Sequence, residues 1–153
     1  MTDDRGADRD PSNLSELSSD ECLRLLDSVP IGRIAVITAE GLPMVVPVNF
    51  VRDGDTIVFR TDPGTKFDAL RRHPVAFEVD EVDPSTRTGW SVLVQGIAHE
   101  VAPQEVEGVS VESWVAGERR QWVRVVPRVV SGRRIRLLAD RQEPPTPAGT
   151  MET

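Results

Sequence analysis

Thirty residues, GRIAVITAEGLPMVVPVNFVRDGDTIVFRT (32–61), constrain the fold more than any other part of the chain. They read as three strands joined by turns at Glu40-Gly41 and Asp53-Gly54. The second turn is a strong hairpin signal, because glycine supplies the positive φ that a tight connection needs. Pro43 and Pro47 have no N–H to give a ladder, so part of the middle strand is expected at an edge or a bulge.

The flanking sequence extends this pattern. Ser18 and Ser19 precede ECLRLLDSV, where a serine cap, acidic first-turn residues and a short apolar face predict a helix at about 19–28, closed by Pro30. A second short helix is expected at about 64–72, stopped by His73-Pro74. VAFEVD alternates, with Val75, Phe77 and Val79 toward a core and Glu78 and Asp80 outward. After the loop DPSTRTG comes a long strand, WSVLVQGIAHEV, with a bulge or close backbone approach expected at Gly96. Residues 103–118 carry a weak helical signal around Val111–Val115. QWVRVVPRVVSGRRIRLL gives one or two further strands. Six or seven hairpin-linked strands with short helices between them do not make a doubly wound parallel sheet. They predict a mainly β fold, a small and mostly antiparallel barrel.

The barrel is expected to occupy 14–138, between an acidic disordered tail at 1–13 and a Pro-rich disordered tail at 139–153. The net charge of −7 argues against nucleic-acid and membrane-surface partners. No run is long and apolar enough for a membrane span. The polar N-terminus is not a secretory signal, and Cys22 is the only cysteine; both point to the cytoplasm.

Against seventeen arginines the chain has one lysine, Lys66, in FRTDPGTKFDAL (59–70). Here a strand ends at Arg60-Thr61, Asp62-Pro63-Gly64 turns, and a helix starts. Asp62 could be the N-cap and Pro63 the first helical residue. Lys66 would then oppose the helix dipole beside Arg60. Two readings follow. Lys66 snorkels to solvent while Asp62 neutralises the cluster, or a bound phosphate meets Arg60, Lys66, the hydroxyls of Thr61 and Thr65 and the free helix amides. An Asp62 cap would compete with that phosphate. The P-loop spacing is absent.

Other candidates carry less chemistry. His73 and His99 lack a partner at metal-ligand spacing, so no metal site is expected. Cys22 reads as core rather than nucleophile. Trp90, Trp114 and Trp122 suit either a core or a cofactor-facing wall. Residues 119–136 hold seven arginines and no acid. They read as solvated strand faces, as a basic lip for an anionic ligand, or as a nucleic-acid surface, the last disfavoured by the chain's overall acidity.

The order VPIGRIAVIT, PVNF, FRTDPGTKFDAL, VAFEVD and WSVLVQGIAHEV resembles the pyridoxamine 5′-phosphate oxidase-like, FMN-binding split-barrel family over about residues 15–138. The resemblance implies a split β-barrel of the flavin-binding type, a homodimer, and FMN in clefts between subunits. It places the FMN phosphate on Arg60, Thr61, Thr65 and Lys66. It places the isoalloxazine ring along Pro47, Val48 and Asn49, with Trp90 and Ser91 approaching from a neighbouring strand. Arg133 and Arg134 in SGRRI match a late strand that serves the partner's cofactor. The substrate-binding arginine pattern of true pyridoxamine phosphate oxidases is not recognisable, so that activity is not expected. Some relatives bind a deazaflavin instead, and a few have lost the flavin.

The expected function is therefore an FMN-dependent oxidoreductase acting on a small molecule. The protein would supply anchoring, orientation and exclusion of water around the redox group. A deazaflavin-dependent reductase and a non-catalytic cofactor-binding barrel are the alternatives on the same fold.

Overall fold

The computed structural model describes residues 12–70, 73–117 and 119–138, with Thr65, Lys66 and Phe67 described by backbone only. The tail regions 1–11 and 139–153 lie outside the described residues. Asn13 already belongs to the folded part, since its carbonyl accepts from Arg136 N–H at 2.9 Å.

In chain order the elements are β1 (Leu14–Glu16), α1 (Ser19–Leu26), β2 (Ile31–Ile37), β3 (Pro43–Asp53), β4 (Thr56–Thr61), α2 (Thr65–Leu70), β5 (Pro74–Asp83), β6 (Thr88–Val101), a 3-10 turn (Pro103–Val106) and β7 (Gln121–Ile135). The sheet order is β1-β7-β4-β3-β2-β5-β6, and a further β6–β7 pairing closes six strands into a barrel. All the pairings are antiparallel. This is a split β-barrel, as the strand pattern and the family resemblance imply.

The two turns of the opening run form as expected, with Gly41 and Gly54 at φ 79° and 60°. The prolines of β3 act as predicted. Residues 43–49 pair with β2, and pairing with β4 begins only at Phe50. One edge of Pro43–Asn49 is thus left out of the ladder, where a missing N–H costs nothing. At Gly96 the β6–β7 register slips. A Cβ there would lie 2.1 Å from the Val126 carbonyl oxygen, so only glycine permits this approach.

The barrel interior holds Ile34, Phe50, Phe59, Phe77, Val79, Val92, Val94 and Val123, all buried. Phe50 and Phe77 meet edge to face at 4.8 Å. Gly32 makes room for this pair, since its Cβ would sit 2.1 Å from the Phe77 ring. Burying each such ring contributes about 1.5–3 kcal/mol. Cys22 is core, as expected, and burial pushes its thiol pKa up. A smaller cluster of Val58, Val101 and Val106 lies outside the barrel, with Trp122 packed against it.

Several local expectations need correction. The first helix ends at Leu26, with Asp27 as C-cap, two residues before the expected 28. Its N-terminus is a capping box: Ser18 Oγ accepts from Glu21 N–H at 3.2 Å and Glu21 Oε2 accepts from Ser18 N–H at 2.9 Å. The C-terminal arginine-rich segment, expected as one or two strands, is one. No helix forms around Val111–Val115. Gly108 and Gly117 stand at φ 82° and 124° on either side, and the Trp114 N–H is bonded to a side chain instead of a helix carbonyl. The second helix starts at Thr65, and the Gly64 carbonyl accepts from Asp68 N–H. Gly64, not Asp62, therefore holds the N-cap position, and Pro63 precedes the helix.

Candidate functional site

The unpaired edge of β3 faces the end of β4. Successive residues of a strand point to opposite faces. Val48 and Phe50 turn inward, and Pro47 and Asn49 turn outward. On β4, Phe59 and Thr61 are fully buried, and Arg60 lies on the outer face. Pro47, Val48, Asn49 and Arg60 therefore line one cleft, with Val111, Ser113, Val115 and Arg119 from the connection before β7 closing its other side.

Both polar handles of this cleft are engaged. Asn49 Oδ1 accepts from Trp114 N–H at 2.9 Å, and its Nδ2 reaches the Pro30 carbonyl at 3.4 Å. Arg60 donates from Nε and Nη2 to the Arg119 carbonyl at 2.9 and 2.6 Å. The guanidinium also sits 5.0 Å from the Trp122 ring centre, a cation–π contact. Asp62 meets Arg119 at 3.8 Å. Its carboxylate is thus turned toward an arginine rather than the helix amides, which removes the competition that an Asp62 cap would have created.

The remaining sequence candidates divide. Thr61 is not brought to the cleft, because its hydroxyl donates inward to the Asp62 carbonyl at 3.4 Å. Thr65 and Lys66 occupy the first two positions of α2, and their side chains lie outside the described ones. Trp90, Ser91, Arg133 and Arg134 form a separate corner. There Trp90 stands opposite Arg134 and Ser91 opposite Arg133 in the β6–β7 ladder. Arg60 is opposite Trp122 at the other end of β7. At about 3.3 Å per residue, roughly 40 Å of strand separates the two groups. Along β7 the candidates thus fall into two groups rather than one.

Val111, Ser113 and Val115 are the lining residues that the sequence did not assign to a site, whereas Arg119 belonged to the candidate basic lip and Trp114 was a candidate wall. Periodicity could not have found them, because they act through backbone groups and loop packing. A larger cavity, of about 600 Å³, is lined by Pro30, Phe50, Arg52, Glu112 and Trp114 among others. Arg52 is held there by Asp27 at 2.6 Å, which raises its pKa further. Among the described residues there is no cluster of metal-ligating side chains and no helix long and apolar enough to cross a membrane.

Comparison with known proteins gives a consistent result. The family model described as pyridoxamine 5′-phosphate oxidase matches residues 18–134. The uncharacterized protein Rv0080 of Mycobacterium tuberculosis is 36% identical over 149 residues, covering 92% of this chain and 96% of its own length. Among solved structures, the FAD-binding protein from Mycobacterium smegmatis is 36% identical with a TM-score of 0.68, covering 79% of this chain and 98% of that one. A candidate pyridoxamine 5′-phosphate oxidase from Corynebacterium glutamicum is 32% identical with a TM-score of 0.68, covering 79% and 97%.

Proposed function

The chain belongs to the pyridoxamine 5′-phosphate oxidase family, and from that premise we propose that it is a flavin-binding oxidoreductase that takes FMN and acts on a small molecule. The observation that carries the reading is the joining of Pro47, Val48 and Asn49 to Arg60 in one cleft. A strand edge outside the ladder offers backbone groups to a planar heterocycle. An amide side chain and a guanidinium beside it suit a ring edge and an anionic tail. The mycobacterial FAD-binding relative supports a flavin in preference to a deazaflavin.

The donor set fits a flavin, and one chain supplies only part of the space. The cleft measures about 40 Å³, against roughly 300 Å³ or more for a small-molecule pocket. What this chain's residues offer is a polar floor at Asn49, a cation at Arg60 and an apolar wall of Val48, Val111 and Val115 that excludes water. The second polar group, Trp90, Ser91, Arg133 and Arg134, is too far along β7 to serve the same cleft. We assign it to the cleft of a second copy, in a homodimer with the cofactor between subunits.

Absorption spectra of the purified protein, and mass analysis of small molecules released on denaturation, test this. An absorbance band near that of an oxidised flavin and the mass of FMN are expected. The mass of FAD would change the cofactor but keep a flavin, and that of a deazaflavin would favour the deazaflavin-dependent alternative. A colourless protein whose melting temperature ignores all three would overturn it.

A further inference from the structure

We propose that a second copy of this chain sits on the outer face of β2, β3, β5 and β6, about a two-fold axis that runs along the strands midway between β2 and β5. This inference rests on the flavin-binding homodimer reading above and names the surface on which the two copies meet. In an antiparallel sheet with one face on a core, the other face is expected to be polar where it meets water. Part of this outer face follows the rule. Arg33 on β2 stands opposite Glu78 on β5, and its guanidinium meets Asp80 at 3.2 Å.

The adjoining part breaks the rule. The ladders join Val45, Ala35, Ala76, Gln95 and Val129 into one row across five strands, and Gln95 is its only polar member. Beyond that row, Ile37 stands opposite Pro43, and Ile97 lies between Pro74 and Val126. Ala35, Ile37, Pro74, Ala76 and Ile97 line one shared depression. Ile37, Val45 and Val129 are 58%, 63% and 53% exposed. Monomeric proteins rarely leave so continuous an apolar surface to water.

The pattern across the strands fits a copy of the same surface. The smallest residues, Ala35 and Ala76, stand where the axis passes, so two convex sheets can approach there. The axis lays β2 of each copy over β5 of the other at the same level. Each Arg33 then faces the partner's Glu78, and the opposite charges meet twice by symmetry. In the same way β3 lies over β6 of the other copy. Val45 faces the partner's Gln95, and Pro47 faces the partner's Leu93.

One level further along, the pairing reaches the cleft. Asn49 is level with Ile31 on β2, and Ser91 is level with Asp80 on β5. Continuing the β2–β5 register sets Ile31 level with Asp80, so Asn49 faces the partner's Ser91, with the partner's Arg133 beside it on β7. The two outer faces curve away from the axis, which leaves a gap between β3 of one copy and β6 of the other. The cofactor's room comes from that gap as well as from the cleft of one chain. Strand alternation also separates the corner's two arginines. Arg133 shares the face of Ser91 and reaches the other copy's cleft, whereas Arg134 points to the opposite face.

The experiment uses the full chain, with FMN as the probe of the site. Sedimentation of the unmutated protein is expected to show a dimer. Ala76→Arg sets a charge at the axis and should raise the dimer dissociation constant roughly 100-fold or more, and weaken FMN binding with it. Leu138→Asp changes an exposed residue outside this face and should do neither. Val45→Asp, on the stretch of β3 that leaves β4 unpaired, repeats the test should Ala76→Arg not fold. With Val45→Cys and Gln95→Cys in one chain, a short bismaleimide should join the protomers covalently, and neither single variant should; Cys22 is buried and does not compete. A dimer that survives both charged variants places the second copy on another face, and the flavin reading stands. An unmutated protein that binds FMN as a monomer overturns the shared site but not the flavin. One that is monomeric and ignores FMN overturns both.

Discussion

The cleft at Asn49–Arg60 and the corner at Trp90–Arg134 sit at opposite ends of β7, and the same strand treats its two ends differently. At the first end β7 pairs with β4 on one edge, and Arg60 is turned onto the Arg119 carbonyl and the Trp122 ring. Its cation is committed to the chain itself. At the second end β7 is flanked by β6 and by the three-residue β1, and Arg133 is exposed. The comparison teaches that polar composition does not locate a site. Arg124 beside β4 and Arg134 beside β1, ten positions apart on one strand, serve different ends of the barrel, and only the topology shows which.

The largest expected effect tests whether the cleft end is part of the barrel. Phe59 is fully buried, pairs with Phe50 on β3 and Val123 on β7, and precedes Arg60. Phe59→Ala should cost about 3–5 kcal/mol in urea denaturation. A loss under about 1 kcal/mol would mean that this end repacks freely, and the rigid-floor view of the cleft would be wrong. The corner has its own tight point. A Cβ on Gly132 would lie 2.7 Å from Cys22 Sγ and 3.0 Å from the Ser91 carbonyl oxygen. Gly132→Ala should cost about 1–3 kcal/mol, since the backbone atom cannot yield even if the thiol does.

The proposed sharing of one ligand between the two ends is tested by mixing. Arg60→Met should weaken FMN binding by roughly 10–100-fold, the range for a hydrogen bond to a charged group. Arg133→Ala with Arg134→Ala should weaken it less. In a two-fold dimer that pairs one chain's cleft with the other's corner, a mixture of the two variants, unfolded and refolded together, regains intact sites. Random pairing restores about a quarter of them. Recovery absent from the mixture would show that cleft and corner do not meet across an interface.

The sequence revealed the barrel because its signals are local and repetitive. The Asp53-Gly54 turn, the alternation of Val75, Phe77 and Val79, and the slip at Gly96 are each written in neighbouring residues. The unpaired stretch of β3 was likewise legible in Pro43 and Pro47. The cleft was legible only from the strand side, through Pro47, Val48, Asn49 and Arg60. Its other wall comes from residues about 50 to 70 positions away in the chain. There a backbone N–H on Asn49 replaced the helical bond that apolar spacing around Val111–Val115 suggested. Thr61 was misleading for a simple reason. The side chains of Arg60 and Thr61 point to opposite faces of β4, and the core took the threonine.

The smallest effect asks whether the corner's charge is available to a ligand. Glu21 in the capping box of α1 has its pKa lowered, first by the Ser18 N–H and hydroxyl and only later by the charges of Arg134 and Arg24. A lowered carboxylate contributes stability that is present above its unfolded pKa and lost as pH falls through the folded one. The acid limb of stability, followed by thermal melts from about pH 6 to about pH 2, should therefore carry a Glu21 component. Ser18→Ala should remove only the hydroxyl's share of that component, because the Ser18 N–H still donates to the carboxylate, along with about 1 kcal/mol of helix capping. Arg134→Ala should leave most of it in place, because the hydrogen bonds from Ser18 dominate. If Arg134→Ala instead abolished the component, Arg134 would be bound up with α1 as firmly as Arg60 is with Arg119. The two ends of β7 would then differ in position but not in the commitment of their cations.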